Sequence, residues 1–218
     1  MLPALLAAQT LPVVGTHAIS NKINGINIEV MVQSPSAEKT PLQVACVFEY
    51  TDNDIFTPPA LPAAANGMVH LDKGLNGIIT ELRKSGRFTG HAFETLLIDV
   101  PNGTIAPQRL LLIGLGDRKK FDPEIMKTVG AIGMREALRL GVDHYAHASD
   151  LKDGGVDSPT ALIASNVLKG AIDAYKTQLY LKTKGMANIK PIKKITLLAG
   201  QPFYQVTAEA VTKYPNDK

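Results

Sequence analysis

"RLLLIGLGDRKKFDPE", residues 109–124, is an apolar run that meets Gly114-Leu115-Gly116, then a charged connector, then Asp122-Pro123. Asp is a preferred helix N-cap, and Pro fits the first helical position, where its missing N–H has no partner to lose. The stretch thus reads as strand, glycine turn and helix start, the unit of an alternating α/β fold. In a dinucleotide-binding fold such a turn holds a pyrophosphate at the helix N-terminus. Here the third glycine is absent, Asp117 places negative charge where a phosphate would sit, and five residues separate Gly116 from Asp122. The first reading is therefore a tight turn off the strand end, with glycine supplying backbone angles closed to other residues.

Working outward, the pattern repeats. Ile26 to Val32, "INIEVMV", alternates like a half-buried strand, and "LQVACVFE", residues 42–49, is apolar enough for a strand covered on both faces. A Pro- and Ala-rich stretch from Asp52 to Ala65 predicts a long surface loop, in which Asp52 and Asp54 serve solvation. A helix is expected from about Asp72, with Leu75, Ile78, Ile79 and Leu82 on one face and Gly86 as its stop. Phe93 to Val100 and Gln108 to Leu115 predict two more strands. After the cap at Asp122 a helix runs to about Leu140, with Gly130 and Gly133 allowing it close to a sheet. "VDHYAHAS" is a short strand, the glycine turn "KDGGVDSP" follows, and a helix is predicted from Thr160 to Tyr175. "KKITLLAG" is the last strand. The fold class expected is a three-layer α/β/α sandwich with a mixed central sheet.

Composition narrows the chemistry. A chain of 218 residues suits one ordinary domain with an appendage, and no stretch approaches the roughly 20 apolar residues of a spanning helix. The single cysteine, Cys46, excludes an internal disulfide and reads as a small buried thiol. The histidines at 17, 70, 91, 144 and 147 form no His-Glu-x-x-His pair. His144 and His147, three apart on a strand, point to opposite faces, and surface or half-buried roles are expected for both. No Gly-x-Ser-x-Gly elbow is present. Between Lys169 and Lys194 seven lysines face one acidic residue, Asp173, which reads as a solvated basic face rather than a nucleic-acid surface. "MLPALLAAQTLPVVGT" has a short apolar core without the basic residues that open a secretory signal, so the compartment stays open: cytoplasmic, or periplasmic or secreted if this is a signal remnant.

"LQVACVFE", "LDKGLNGIITELRKSGRFTGHAFETLLI", "RLLLIGLGDRKKFDPEIMKTVGAIGMREALRLGV", "VLKGAIDAYKT" and "KKITLL" together resemble, in order from about Ile26 to Gly200, the N-terminal domain of the leucyl aminopeptidases of peptidase family M17. The resemblance implies a macro-domain-like fold. It also implies that the peptidase chemistry belongs to a separate C-terminal domain. There, two divalent metals are held by a lysine and several carboxylates, beside a motif of the type Asn-Thr-Asp-Ala-Glu-Gly-Arg. Nothing here matches that motif, and the chain stops about where that domain would begin, so no catalytic and no metal residue is carried over.

The expectation is a noncatalytic aminopeptidase-type module for binding, assembly or regulation, spanning residues 23–203 between an N-terminal extension, 1–22, and a tail, 204–218. A protein partner or self-association is expected, and no cofactor or membrane contact. Two alternatives stand beside it. One is a fragment of a full metallo-aminopeptidase. The other is a macro-like domain binding ADP-ribose or a nucleotide, with Gly114, Gly116, Asp117, Asp72, Gly74 and Asn76 as the ligand-binding residues. "VACVFEY" and "LDKGLNG" both depart from the Asn-rich strand end and Gly-rich loop of true macro domains, which removes backbone donors for a pyrophosphate. A further, weaker idea is DNA contact through Lys182, Lys184, Lys190, Lys193 and Lys194.

Overall fold

Five strands run parallel side by side in the computed structural model, which describes residues 10–215. They are β2 (Ile26–Val32), β7 (Lys194–Ala199), β6 (His144–Ala148), β3 (Gln43–Val47) and β5 (Arg109–Gly114). Antiparallel edge strands β1 (His17–Ile23) and β4 (Thr95–Asp99) complete the order β1-β2-β7-β6-β3-β5-β4. β3 is buried at every position, as its continuous apolar run predicts for a strand with neighbours on both sides and helices on both faces.

The pleat sorts the core into two. Val44, Cys46, Leu111 and Ile113 face α3 (Ile125–Arg139), α4 (Thr160–Thr183) and α5 (Tyr204–Lys213). Ala45, Val47, Leu110 and Leu112 face α1 (Gly67–Gly74) and α2 (Ile78–Lys84). This is the expected three-layer α/β/α sandwich with a mixed sheet.

Several elements differ from the sequence reading. The helix expected from Asp72 is two helices: α1 starts earlier, capped by the Asn66 side chain, which accepts from the Val69 N–H at 3.0 Å. Asn76 and Gly77, at φ 56° and 82°, break the chain before α2. Asp122 does turn the chain into α3, accepting from the Glu124 N–H at 2.9 Å, although regular helix begins at Ile125. α4 runs two turns beyond Tyr175, to Thr183. Residues 17–22, read as part of an extension, form most of β1, and residues 204–213 of the expected tail form α5, which buries Thr207 and Val211. Residues 1–9 of the extension, with most of the signal-like stretch, and 216–218 of the tail lie outside the described residues.

Asp54 corrects the picture of a solvated loop. It is 5% exposed and accepts from Arg83, itself 1% exposed, at 3.1 and 2.5 Å, and from Arg118 at 3.1 Å. Arg83 also donates to the Phe48 carbonyl at 2.7 Å, so the Pro-rich segment is clamped to α2 by a paired, hydrogen-bonded buried charge.

α3 and α4 meet through reciprocal glycines. A Cβ on Gly130 would lie 2.0 Å from the Val167 carbonyl oxygen, and one on Gly170 would lie 1.7 Å from that of Lys127. Gly130 thus serves the contact with α4, while Gly133 packs on the sheet, its Cβ position 3.3 Å from Val44. Backbone cannot yield as a side chain can. Gly170→Ala is therefore expected to lose about 3 kcal/mol or more in urea unfolding despite alanine's better helix propensity, and Gly133→Ala no more than about 1 kcal/mol.

Candidate functional site

Because β2, β6 and β7 are parallel, their carboxyl ends open on one edge of the sheet, the position at which open α/β sheets place their ligands. A cleft of about 570 Å³ lies there, with a largely apolar wall that includes Val32, Ile163, Leu197 and Phe203. Its polar members include Ser34, His70, His147, Asp150, Lys152 and Asp153.

Two carboxyl groups build one side. Asp153 is 7% exposed and accepts from the N–H groups of Gly67 and Met68, the latter at 3.0 Å, so it sits on the N-terminus of α1. Asp150, held at φ 53° just after β6, turns its carboxyl inward to accept from the Cys46 N–H at 3.1 Å. The two are hydrogen-bonded to each other. Burial pushes both carboxyls up, Asp150 well above the usual range, where the Asp153 charge adds to the effect, and Asp153 to about 6. Asp150 keeps the proton and donates it to Asp153, whose charge is met by the helix N–H groups. Asn66, fully buried, ties the same corner together by donating to the carbonyls of Asp153 and Ile55, both at 3.0 Å.

His147 lies on β6, opposite Val44 and Leu197. It is 2% exposed, neither ring nitrogen has a hydrogen-bond partner among the described residues, and burial pushes its pKa down to about 4. The imidazole is neutral at pH 7. This overturns the surface or half-buried role expected of it, whereas His144 is half-buried and pairs with Asp143 at 2.7 Å. The charge of Lys152 is taken by Asp157, with its Nζ 4.9 Å from the Phe203 ring centre. His70 Nδ1 and Ser34 Oγ are 3.2 Å apart.

The six residues singled out in the sequence lie elsewhere, and none lines the cleft. Gly114 passes so close to the preceding loop that a Cβ would stand 2.0 Å from the His91 carbonyl oxygen. That loop is a nest of amide donors filled by the protein itself: Glu94 accepts from the N–H groups of Thr89, Gly90 and His91 at 3.1, 2.8 and 3.0 Å. Burial pushes the Glu94 pKa up, but the donors of Gly90, His91 and Thr89 outweigh it and hold the carboxylate below its usual range. Gly116 donates to the Gly90 carbonyl, and Asp117 accepts from the Lys119 N–H at 2.9 Å. Asp72 is spent on Thr80, accepting from its N–H at 2.9 Å and its hydroxyl at 2.7 Å. Gly74 packs against Ile105, and Asn76 shapes the break between α1 and α2.

Sequence reasoning missed His147, Asn66 and the Asp150–Asp153 pair. The pair was hidden in "DLKDGG", a run with the composition of any surface turn. In the basic segment Lys169 pairs with Asp173 at 3.0 Å, Lys193 with Asp143 at 3.5 Å and Lys194 with Glu29 at 2.9 Å. Among the described residues no group of three His, Cys, Asp or Glu is arranged to hold a metal ion.

Residues 55–183 match the family model described as "Cytosol aminopeptidase family, N-terminal domain". A "Probable cytosol aminopeptidase" of Roseiflexus castenholzii is 31% identical over 129 residues, 59% of this chain and 26% of that protein. One from Nitrosococcus oceani is 29% identical over 139 residues, 64% and 27% respectively. The chain thus spans about a quarter of the length of the curated relatives it matches. A tomato leucine aminopeptidase mutant shares the fold with a TM-score of 0.62 at 16% identity, covering 87% of this chain and 36% of that one. An Oceanobacillus iheyensis macrodomain with MES bound gives 0.53 at 16% identity, covering 88% and 93%.

The shared proton sets a pH test. Asp150 holds a proton in the folded chain that the unfolded chain releases above about 3.8, so the pair's stabilising effect is full below that pH and is lost as pH rises. Asp150→Asn replaces the proton by a permanent N–H. In urea titrations at pH 5, 6 and 7 the variant should gain on the wild type by up to about 1.4 kcal/mol per pH unit. Parallel stability curves would refute the shared proton.

Proposed function

Since the chain belongs to the cytosol aminopeptidase family and matches its N-terminal domain, we propose that it is a noncatalytic module whose cleft binds a ligand or partner in the service of aminopeptidase assembly or regulation. The observation that carries this reading is where the match falls. Residues 55–183 include α1, β6 and the loop with Asp150 and Asp153, so the matched stretch supplies one side of the cleft, while the ends of β2 and β7 that supply the other lie outside it. The module on this reading runs from β1 at His17 to α5 at Lys213, wider at both ends than the 23–203 expected from the sequence.

A nucleotide or ADP-ribose site at Gly114–Asp117 and Asp72–Asn76 is the weaker reading. Asp72 and the nest beside Gly114 already have internal partners, and a phosphate would have to displace a carboxylate from its donors. Peptidase activity in a longer protein containing this chain would be supplied by residues outside 55–183.

Two measurements test the proposal. The purified chain, incubated with leucine p-nitroanilide and Mn²⁺ or Zn²⁺, is expected to release no nitroaniline above the metal-only blank; turnover on the order of 10 s⁻¹, usual for an enzyme, would overturn it. Calorimetry with ADP-ribose at millimolar concentration is expected to show no heat of binding, and a saturable isotherm would favour the nucleotide reading instead.

A further inference from the structure

We propose that the free edge of β4 pairs with the same edge of a second copy of this chain, antiparallel and centred on Leu97, so that two sheets join across a two-fold axis. This surface is a different one from the cleft, at the far edge of the sheet from β1 and β2. Backbone geometry, the contrast between the two sheet edges and the side-chain register each lead to it.

β4 is last in the strand order and has a neighbour, β5, on one side only. In an antiparallel ladder, residues that exchange hydrogen bonds with the neighbour alternate with residues whose N–H and C=O point away. The Gly114 N–H donates to the Glu94 carbonyl and the Val100 N–H to that of Gln108, so the even-numbered residues of β4 face β5. Thr95, Leu97 and Asp99 therefore present their backbone N–H and C=O groups outward. No loop or side chain among the described residues takes these groups up.

The opposite edge of the sheet is blunted. β1 shifts register between Ile19 and Asn21, and Lys22 follows, both devices that keep an edge strand from pairing. β4 has neither. It stays in register with β5 from Thr95 to Asp99 and carries no lysine or proline. Leu96, Leu97 and Ile98 are only half-buried, where β3 inside the sheet is buried throughout. A regular apolar edge of this kind invites a further strand, and a two-fold pairing closes it with nothing left to propagate.

The sequence of β4 is complementary to itself in one register. With Leu97 opposite Leu97 of the second copy, Thr95 stands opposite Asp99 and Leu96 opposite Ile98. Each outward-facing residue then meets another outward-facing residue as a hydrogen-bonded pair, and no like charges are opposed. The Thr95 hydroxyl can donate to the Asp99 carboxylate of the second copy, a group that already receives Arg109 of its own chain at 3.1 Å. Leu96 and Ile98, which pack on the core beneath α1 and α2, would form one apolar row across the junction. Centring the pairing on Leu96 or Ile98 instead would set Leu97 against Thr95 or Asp99 and forfeit the leucine contact.

Thr95 is exposed, so its charge can be changed without disturbing the monomer. Sedimentation equilibrium of the intact chain between about 10 µM and about 1 mM, the weak range of small interfaces, is expected to show monomer and dimer in equilibrium. Thr95→Asp sets like charges opposite each other twice per dimer, and Thr95→Lys sets opposite ones. The Lys variant is expected to dimerise at least about tenfold more tightly than the Asp variant. Amide exchange followed by NMR reads the backbone directly: raising the concentration should protect the N–H groups of Thr95, Leu97 and Asp99 and leave those of Leu96 and Ile98, which face β5, unchanged. A chain that stayed monomeric at about 1 mM would overturn the proposal and leave this edge to a strand of another protein. A dimer indifferent to the charge at position 95, or one that left the three amides unprotected, would also overturn it, because the contact would then lie on another surface.

Discussion

Two carboxyl groups turned into the protein, Asp150 and Asp153, have to share a proton, because a low-dielectric corner cannot hold both charges. That constraint fixes the loop after β6 at three points at once: to β3 through the Cys46 N–H, to α1 through Met68 and Gly67, and to itself through the carboxyl pair. Asn66 secures the same corner from the other side, capping α1 while holding the carbonyls of Ile55 and Asp153. The cleft is what remains between this braced corner and the ends of β2 and β7. Its shape is therefore set by polar groups that are individually costly to bury and jointly satisfied.

The same logic recurs around the sheet. Sites that backbone geometry prepares for an anion are taken by the protein's own carboxylates: Glu94 fills the nest of Thr89, Gly90 and His91, and Asp153 takes the N-terminus of α1. Asp54 answers the buried Arg83 and draws in Arg118, which ties the Pro-rich segment to two other parts of the chain. A fold similar to that of macrodomains is thus furnished with internal charge compensation at these backbone donors. His147, like the Tyr145 hydroxyl and Gln43 Oε1, is a buried polar group with no hydrogen-bond partner among the described residues.

The sandwich was legible because its signals are local. Alternating and continuous apolar runs identified β2, β3, β5 and β7, and the Asp122-Pro123 start identified α3, since side-chain period and capping depend on residues a few positions apart. β1 was less legible because an edge strand with mostly exposed residues, such as "HAISNKI", carries little apolar signal. The split between α1 and α2 was missed because the apolar stripe continues across the break, while the break depends on the backbone angles of Asn76 and Gly77.

The amino-acid sequence by itself determined the α/β class, the order of the main elements and the resemblance to the aminopeptidase N-terminal domain, because periodicity, caps and motif order are written along the chain. Only the tertiary structure decided which polar residues matter. Asp54 and Asp150 look like any loop carboxylates until folding removes water and brings Arg83, Cys46 and Asp153 within hydrogen-bond distance. His147 looks like any strand histidine until β3, β7 and α3 close over it. Desolvation is a property of what surrounds a group in space, and residues a hundred positions apart supply those surroundings.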